Sequence, residues 1–101
     1  MAYSHPDFEL ALSSVAGDDM SLRLELRESF LESLANQIDL LRRSRCDGNW
    51  RLAAERIKGL GASFHAARLV ALAEEALDGA PGDPAILRKL SQFTQDFSVE
   101  S

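Results

Sequence analysis

The side chains whose types and spacing could do chemistry are few. Glu55, Lys58, Gly59 and Ala62 follow one another at offsets of three, one and three. At about 100° per residue they share one side of a helix. Trp50, Ala53, Ile57, Leu60 and Phe64 recur at spacings of three, four, three and four, an apolar seam that faces a core. Glu55 falls almost opposite that seam. A glycine inside a helix costs about 1 kcal/mol relative to alanine, and no cap or end signal accounts for Gly59. One physical reason to keep it on a solvent face is close approach by another molecule. Lys58 beside it supplies a mobile positive charge that can meet an anion. Ordinary solvated surface is the competing reading. Glu55 and Lys58 are an i, i+3 pair of opposite charge, worth about 0.2–0.5 kcal/mol. Gly59-Leu60-Gly61 would equally relieve crowding where two helices cross.

The remaining reactive groups carry less. His65 lies about 15 Å beyond Glu55 along an ideal helix, near the helix end, where it is expected to cap or to pack beside Phe64. His5 belongs to the leader. Isolated histidines lack the ligand count of a metal site, so no metal is expected. Cys46 is alone, which rules out an intramolecular disulfide and a thiolate cluster for zinc. Without an orienting partner, Cys46 and the distant His65 make no nucleophile pair. Lys58-Gly59-Leu60-Gly61 lies within a helical pattern and lacks the Lys-Ser/Thr ending of a phosphate loop. Ser13 and Ser14 read as exposed helix residues.

Charge and hydropathy exclude further classes. The 101 residues carry 11 Lys and Arg against 16 Asp and Glu, a net charge of −5. That excess of acid argues against a nucleic-acid partner, which needs a basic footprint. Nothing approaches the roughly 20 consecutive apolar residues of a membrane span. The opening Met1 to Asp7 has neither the charged nor the apolar region of a signal peptide. A cytoplasmic location is expected, and the opening Met1 and short tail point to a complete small protein.

Helices must position the Glu55 face. Phe8, Leu12 and Val15 form a short amphipathic segment after Pro6-Asp7 that stops at Gly17. Asp18-Asp19 offers an N-cap to a run from Ser21 to about Arg43 that contains no Gly or Pro. Met20, Leu24, Leu31, Leu34, Ile38 and Leu41 make its seam, widened by Leu26 and Phe30. Arg42 and Arg43 suit the negative end of its dipole. Asp47-Gly48 reads as a turn and cap before the Trp50 seam. Ala66, Leu69, Val70, Ala73, Ala76 and Leu77 make another helix, ended by Gly79-Ala80-Pro81-Gly82. Asp83-Pro84 is an N-cap followed by proline, and Ile86, Leu90, Phe93 and Phe97 form the last seam. The expected fold is all-α, an up-and-down four-helix bundle with an additional short N-terminal helix. It is one domain over residues 1–101, with 1–6 and 98–101 mobile. A monomer is expected because one bundle consumes the seams.

The stretch Ala54-Glu55-Arg56-Ile57-Lys58-Gly59, continuing through Ala62-Ser63-Phe64-His65-Ala66-Ala67-Arg68-Leu69, resembles histidine-containing phosphotransfer (HPt) domains of bacterial phosphorelays. Their motif reads roughly Ala-His-x-Leu/Ile-Lys-Gly, then small residues, an apolar residue, Gly-Ala and a leucine. Phe8 to Leu12, Gly17-Asp18 and Phe30-Leu31-Glu32-Ser33-Leu34 are similar to the family's opening. Leu69, Leu72, Ala73 and Glu75 are similar to its helix after the motif. The resemblance covers Phe8 to Phe97. It implies a helical bundle whose exposed histidine carries a phosphoryl group, with the lysine near that group and the glycine admitting a receiver domain.

This chain departs from the pattern at two positions. Glu55 stands where the resemblance puts the acceptor histidine, and His65 stands where it puts glycine. A carboxylate could form only a mixed anhydride with the phosphoryl group, and its charge repels an anionic donor. No phosphotransfer through position 55 is expected, so the chain is not expected to be an enzyme. Docking is the expectation that remains, to a response-regulator receiver domain or a histidine kinase. Arg51, Glu55, Arg56, Lys58, Gly59 and Ala62 are its candidate residues, and Arg68 adds positive charge nearby that could steer an acidic receiver. Glu55 would either imitate the charge of the phosphorylated state or join the shell of a Mg2+ ion held by the receiver. No cofactor of its own is expected. The alternatives are an active phosphotransfer protein using His65 or another acceptor, and a helical scaffold for an unrelated protein partner.

Overall fold

A computed structural model describes residues 6–99. Among these residues every regular element is an α-helix, so the chain is all-α. The helices are α1 Pro6–Ala16, α2 Met20–Arg43, α3 Asp47–Ser63, α4 Ala67–Asp78 and α5 Pro84–Val99. Most boundaries sit at the expected punctuation. Gly17 takes a left-handed φ of 62° and donates its N–H to the Ser13 carbonyl, which closes α1. The Asp19 carboxylate accepts from the Leu22 N–H at 3.1 Å and caps α2. The Asp83 carboxylate accepts from the Ala85 N–H at 3.0 Å, ahead of a proline whose missing donor costs the first turn nothing.

α3 starts differently. Asp47 and Gly48 lie inside its first turn, and extended Cys46 precedes them without a side-chain cap bond. An aspartate in the first turn still complements the positive helix end, so from sequence it reads equally as cap or as turn. Of the positions expected to be mobile, Pro6 opens α1 and the last two residues of α5 reach Val99. Residues 1–5 and 100–101 lie outside the described residues.

α3 packs against α2 and α4, α5 packs against the same two helices, and α1 lies against α2. α2 and α5 run antiparallel, because Arg42 reaches Ser91 near one end and Arg27 reaches the Phe97 carbonyl near the other. All five phenylalanines of the chain join one cluster. The Phe8 ring lies 4.9 Å from Phe30, 5.4 Å from Phe64 and 4.7 Å from Phe97. One residue thereby ties α1 to α2, to the end of α3 and to α5. At the other end of α3, the buried Trp50 donates its indole N–H to the Ala76 carbonyl at 2.7 Å. That bond satisfies the indole's one donor and fixes the start of α3 on the last turn of α4.

The seam of α2 departs from expectation. Met20 and Leu24 are 59% and 55% exposed, and Val15 on α1 is exposed too. Leu31 is partly buried. Arg27 takes a core position in line with Phe30, Leu34 and Ile38. The cause is length. Arg27 already meets Phe97 near the end of α5, so α2 continues for more than one turn past its neighbour. Periodicity sets the phase of an apolar stripe but not how far the adjoining helix accompanies it.

Candidate functional site

α3 buries Trp50, Ala53, Ala54, Ile57 and Gly61. Its opposite side presents Arg51, Leu52, Glu55, Arg56, Gly59 and Ala62 to solvent. The fold therefore brings most of the predicted docking residues onto one face. Two of them diverge at its edges. Arg56 leans to the α2 side, where it lines a cleft with Leu40 and Arg43. Lys58 is half-buried on the α4 side, its Nζ 3.4 Å from Glu74 Oε2. Arg68 is exposed in the first turn of α4.

The expected Glu55–Lys58 pair is not formed. α4 packs alongside α3 and offers Lys58 the Glu74 carboxylate, a partner that spacing within one helix cannot reveal. Glu55 makes no ion pair among the described residues and is exposed, so its carboxylate stays hydrated and open to another molecule.

The two helical glycines separate cleanly. A Cβ built on Gly61 would lie 3.0 Å from Val70 Cγ2 and 3.1 Å from the Val70 backbone nitrogen. Gly61 is the close-approach residue of the α3–α4 crossing. A Cβ on Gly59 would meet nothing within 4 Å. Nothing inside the fold requires Gly59. Gly59→Ala is expected to stabilise the chain by about 0.4–1 kcal/mol. Gly61→Ala is expected to destabilise it by about 1–3 kcal/mol, since backbone cannot yield as a side-chain tip can. Urea denaturation of the two variants checks the opposite signs.

His65 sits past the end of α3. Its φ is 56°, its N–H donates to the Ala62 carbonyl, and the Ala66 N–H donates to the Gly61 carbonyl at 2.7 Å. These two bonds close the helix by the left-handed Schellman arrangement. The backbone of His65 thus does the capping, and Phe64 is turned into the aromatic cluster. The His65 side chain is exposed beside a shallow cleft with Leu10, Ala11 and Ser14 of α1, away from the solvent face of α3. A left-handed conformation costs an L-residue about 1–2 kcal/mol. His65→Gly is accordingly expected to raise stability by about 1 kcal/mol, seen as a melting temperature about 4–8 °C higher.

Sequence reading passed over Leu52 and Leu40, which are 50% and 39% exposed. The signal was available for Leu52, which stands seven residues before Gly59 and therefore on the same side of α3. Leu40 gave no such signal, because its apolar character fits the crowded seam of α2.

Among the described residues, no three His, Cys, Asp or Glu side chains converge as a metal site. No helix there is long and apolar enough to cross a membrane. Compared with family models, curated proteins and solved structures, the chain matches none of them.

Proposed function

We propose that the chain is a degenerate HPt-like module that docks a receiver domain or a histidine kinase through the solvent face of α3 and carries no phosphate itself. The observation that carries this reading is Gly59, a mid-helix glycine in open space. A residue that weakens its own helix and relieves no internal contact is accounted for by the approach of something external. Three further observations support it. Each of α2, α3, α4 and α5 touches two of the others, as in an up-and-down four-helix bundle. The left-handed φ at His65 is the conformation that glycine adopts most cheaply, and glycine is what the HPt resemblance puts there. Glu55 is exposed and free of ion pairs among the described residues, and it stands where the HPt resemblance puts the acceptor.

His65 is a poor substitute acceptor. It lies off the end of α3, and docking would have to be rebuilt around a different surface. Glu55 supplies negative charge where an acceptor would become phosphorylated, and its oxygens suit the Mg2+ of a receiver.

Gly59→Leu tests the reading. The variant keeps the melting behaviour of a folded chain, because the added side chain enters open space. Its affinity for the cognate receiver or kinase domain, titrated by calorimetry, falls by at least about tenfold as the close approach is lost. Unchanged affinity would remove Gly59 from the interface and the argument with it.

A further inference from the structure

The cleft between α2 and α3 lies on the flank of α3 away from Lys58 and holds about 300 Å³. Its floor is Ala53 and Ser44, both buried, and the Ser44 hydroxyl already donates to the Leu40 carbonyl. Its walls are the exposed side chains of Leu40, Leu52 and Asn49. At the rim stand Arg43 and Arg56, and no carboxylate belongs to the lining. Arg43 is held by Asp39 at 3.1 Å, whereas Arg56 has no ion pair among the described residues. In a chain of net charge −5, a cleft walled by two leucines and an asparagine and edged by two guanidiniums is a local reversal of sign.

We infer that this cleft takes an acidic amphipathic helix of a partner protein, with one leucine-sized side chain between Leu40 and Leu52 and a carboxylate against Arg56. Two exposed leucines on neighbouring helices, Leu40 of α2 and Leu52 of α3, favour a partner that lies along both helices. The cleft suits a side chain projecting from a helix laid along two helices, with apolar anchors one turn apart. The rim decides the sign of the partner, since a guanidinium meets a carboxylate in a fork geometry that lysine cannot match. An anionic membrane is disfavoured by the acidity of the whole chain. The inference rests on the docking reading above and adds the chemistry of the docked segment.

The test uses the full chain, labelled with 15N, and two synthetic helical peptides. One carries leucines four residues apart with glutamates one turn from each, and the other has lysine in place of every glutamate. The glutamate peptide is expected to shift the amide signals of Leu40, Leu52 and Arg56 and to bind about tenfold more tightly than the lysine peptide. Arg56→Glu and Leu52→Asp, both at exposed positions that leave the circular dichroism unchanged, are each expected to weaken it by about tenfold. Equal binding of the two peptides, binding insensitive to both substitutions, or binding only to vesicles of anionic phospholipid would overturn the inference. The same two variants are titrated with the cognate receiver or kinase domain. Wild-type affinity there, with Gly59→Leu impaired, sinks the cleft and leaves the docking face standing. Peptide binding without any receiver or kinase binding does the reverse.

Discussion

Glu55→His is expected to accept a phosphoryl group, where the parent chain is expected to accept none. The side chain at position 55 is exposed and makes no ion pair among the described residues, so its replacement leaves stability within about 0.5 kcal/mol. What changes is the nucleophile. An imidazole nitrogen is uncharged for much of its population near neutral pH, so it approaches an aspartyl phosphate without the repulsion a carboxylate meets. The P–O bond to the receiver's aspartate breaks as a P–N bond to the imidazole forms, and the aspartate leaves as its carboxylate. Lys58 is one turn away, and its ammonium reaches the arriving phosphoryl oxygens by leaving the half-exposed Glu74, 3.4 Å off. Label transferred from a phosphorylated receiver is expected on Glu55→His and not on the parent chain, in a form stable to alkali and lost in acid. Failure of the variant to take label from any receiver that binds it would mean that position 55 does not face the phosphoryl group.

Arg27→Ala is expected to cause the largest loss of stability, about 2–4 kcal/mol. Arg27 is 8% exposed. One terminal nitrogen donates to Glu9 at 2.7 Å and the other to the Phe97 carbonyl at 3.2 Å. The guanidinium carbon lies 4.6 Å from the centre of the Phe97 ring and 5.6 Å from that of Phe8. The Glu9 pair contributes at most about 1 kcal/mol, because the carboxylate is 45% exposed and screened. A charged hydrogen bond to a carbonyl contributes about 1.5–3 kcal/mol, and stacking on Phe97 about 0.5–1 kcal/mol. The buried stem adds apolar contact. These interactions join α1, α2 and α5 at one point, so their loss is felt by three helices.

Arg27→Met separates the stem from the charge. Methionine keeps most of the buried apolar volume and removes a guanidinium whose Nε is buried without a hydrogen-bond partner among the described residues. Methionine still loses the charged hydrogen bond to the Phe97 carbonyl and the contact with the Phe97 ring, while the half-exposed Glu9 carboxylate is rehydrated. Arg27→Met is therefore expected to cost about 1–3 kcal/mol, less than Arg27→Ala by the packing that the longer side chain retains. Thermal unfolding of both variants checks the contrast. A methionine variant as unstable as the alanine variant would show that the hydrogen bonds, not the packed stem, hold the three helices.

Helix identity was legible wherever a residue had one physical role. Gly17, Asp19, Gly79 and Asp83-Pro84 each end or begin a helix for a local reason, and the structure uses them so. Legibility failed where the reason was tertiary. Arg27 breaks an apolar pattern when read along one helix, and only the Phe97 carbonyl and the Phe8 and Phe97 rings make its burial sensible. Met20 and Leu24 fit the pattern, but α5 does not extend far enough to cover them. On α3, spacing placed Glu55, Gly59 and Ala62 on one face correctly. It could not tell Gly59 from Gly61, because the difference is Val70 on another helix. Nor could it find Glu74, which draws Lys58 to the far edge of that face.

The most direct test of docking without phosphate is a paired measurement on the unaltered chain. Receiver domains from the same organism, phosphorylated with a radioactive label, are mixed with the chain to follow transfer, while the same preparations are titrated for binding. Saturable binding to at least one receiver with no label appearing on the chain is the predicted result. Label on the chain would contradict it, and its loss in His65→Ala would identify that side chain as the acceptor.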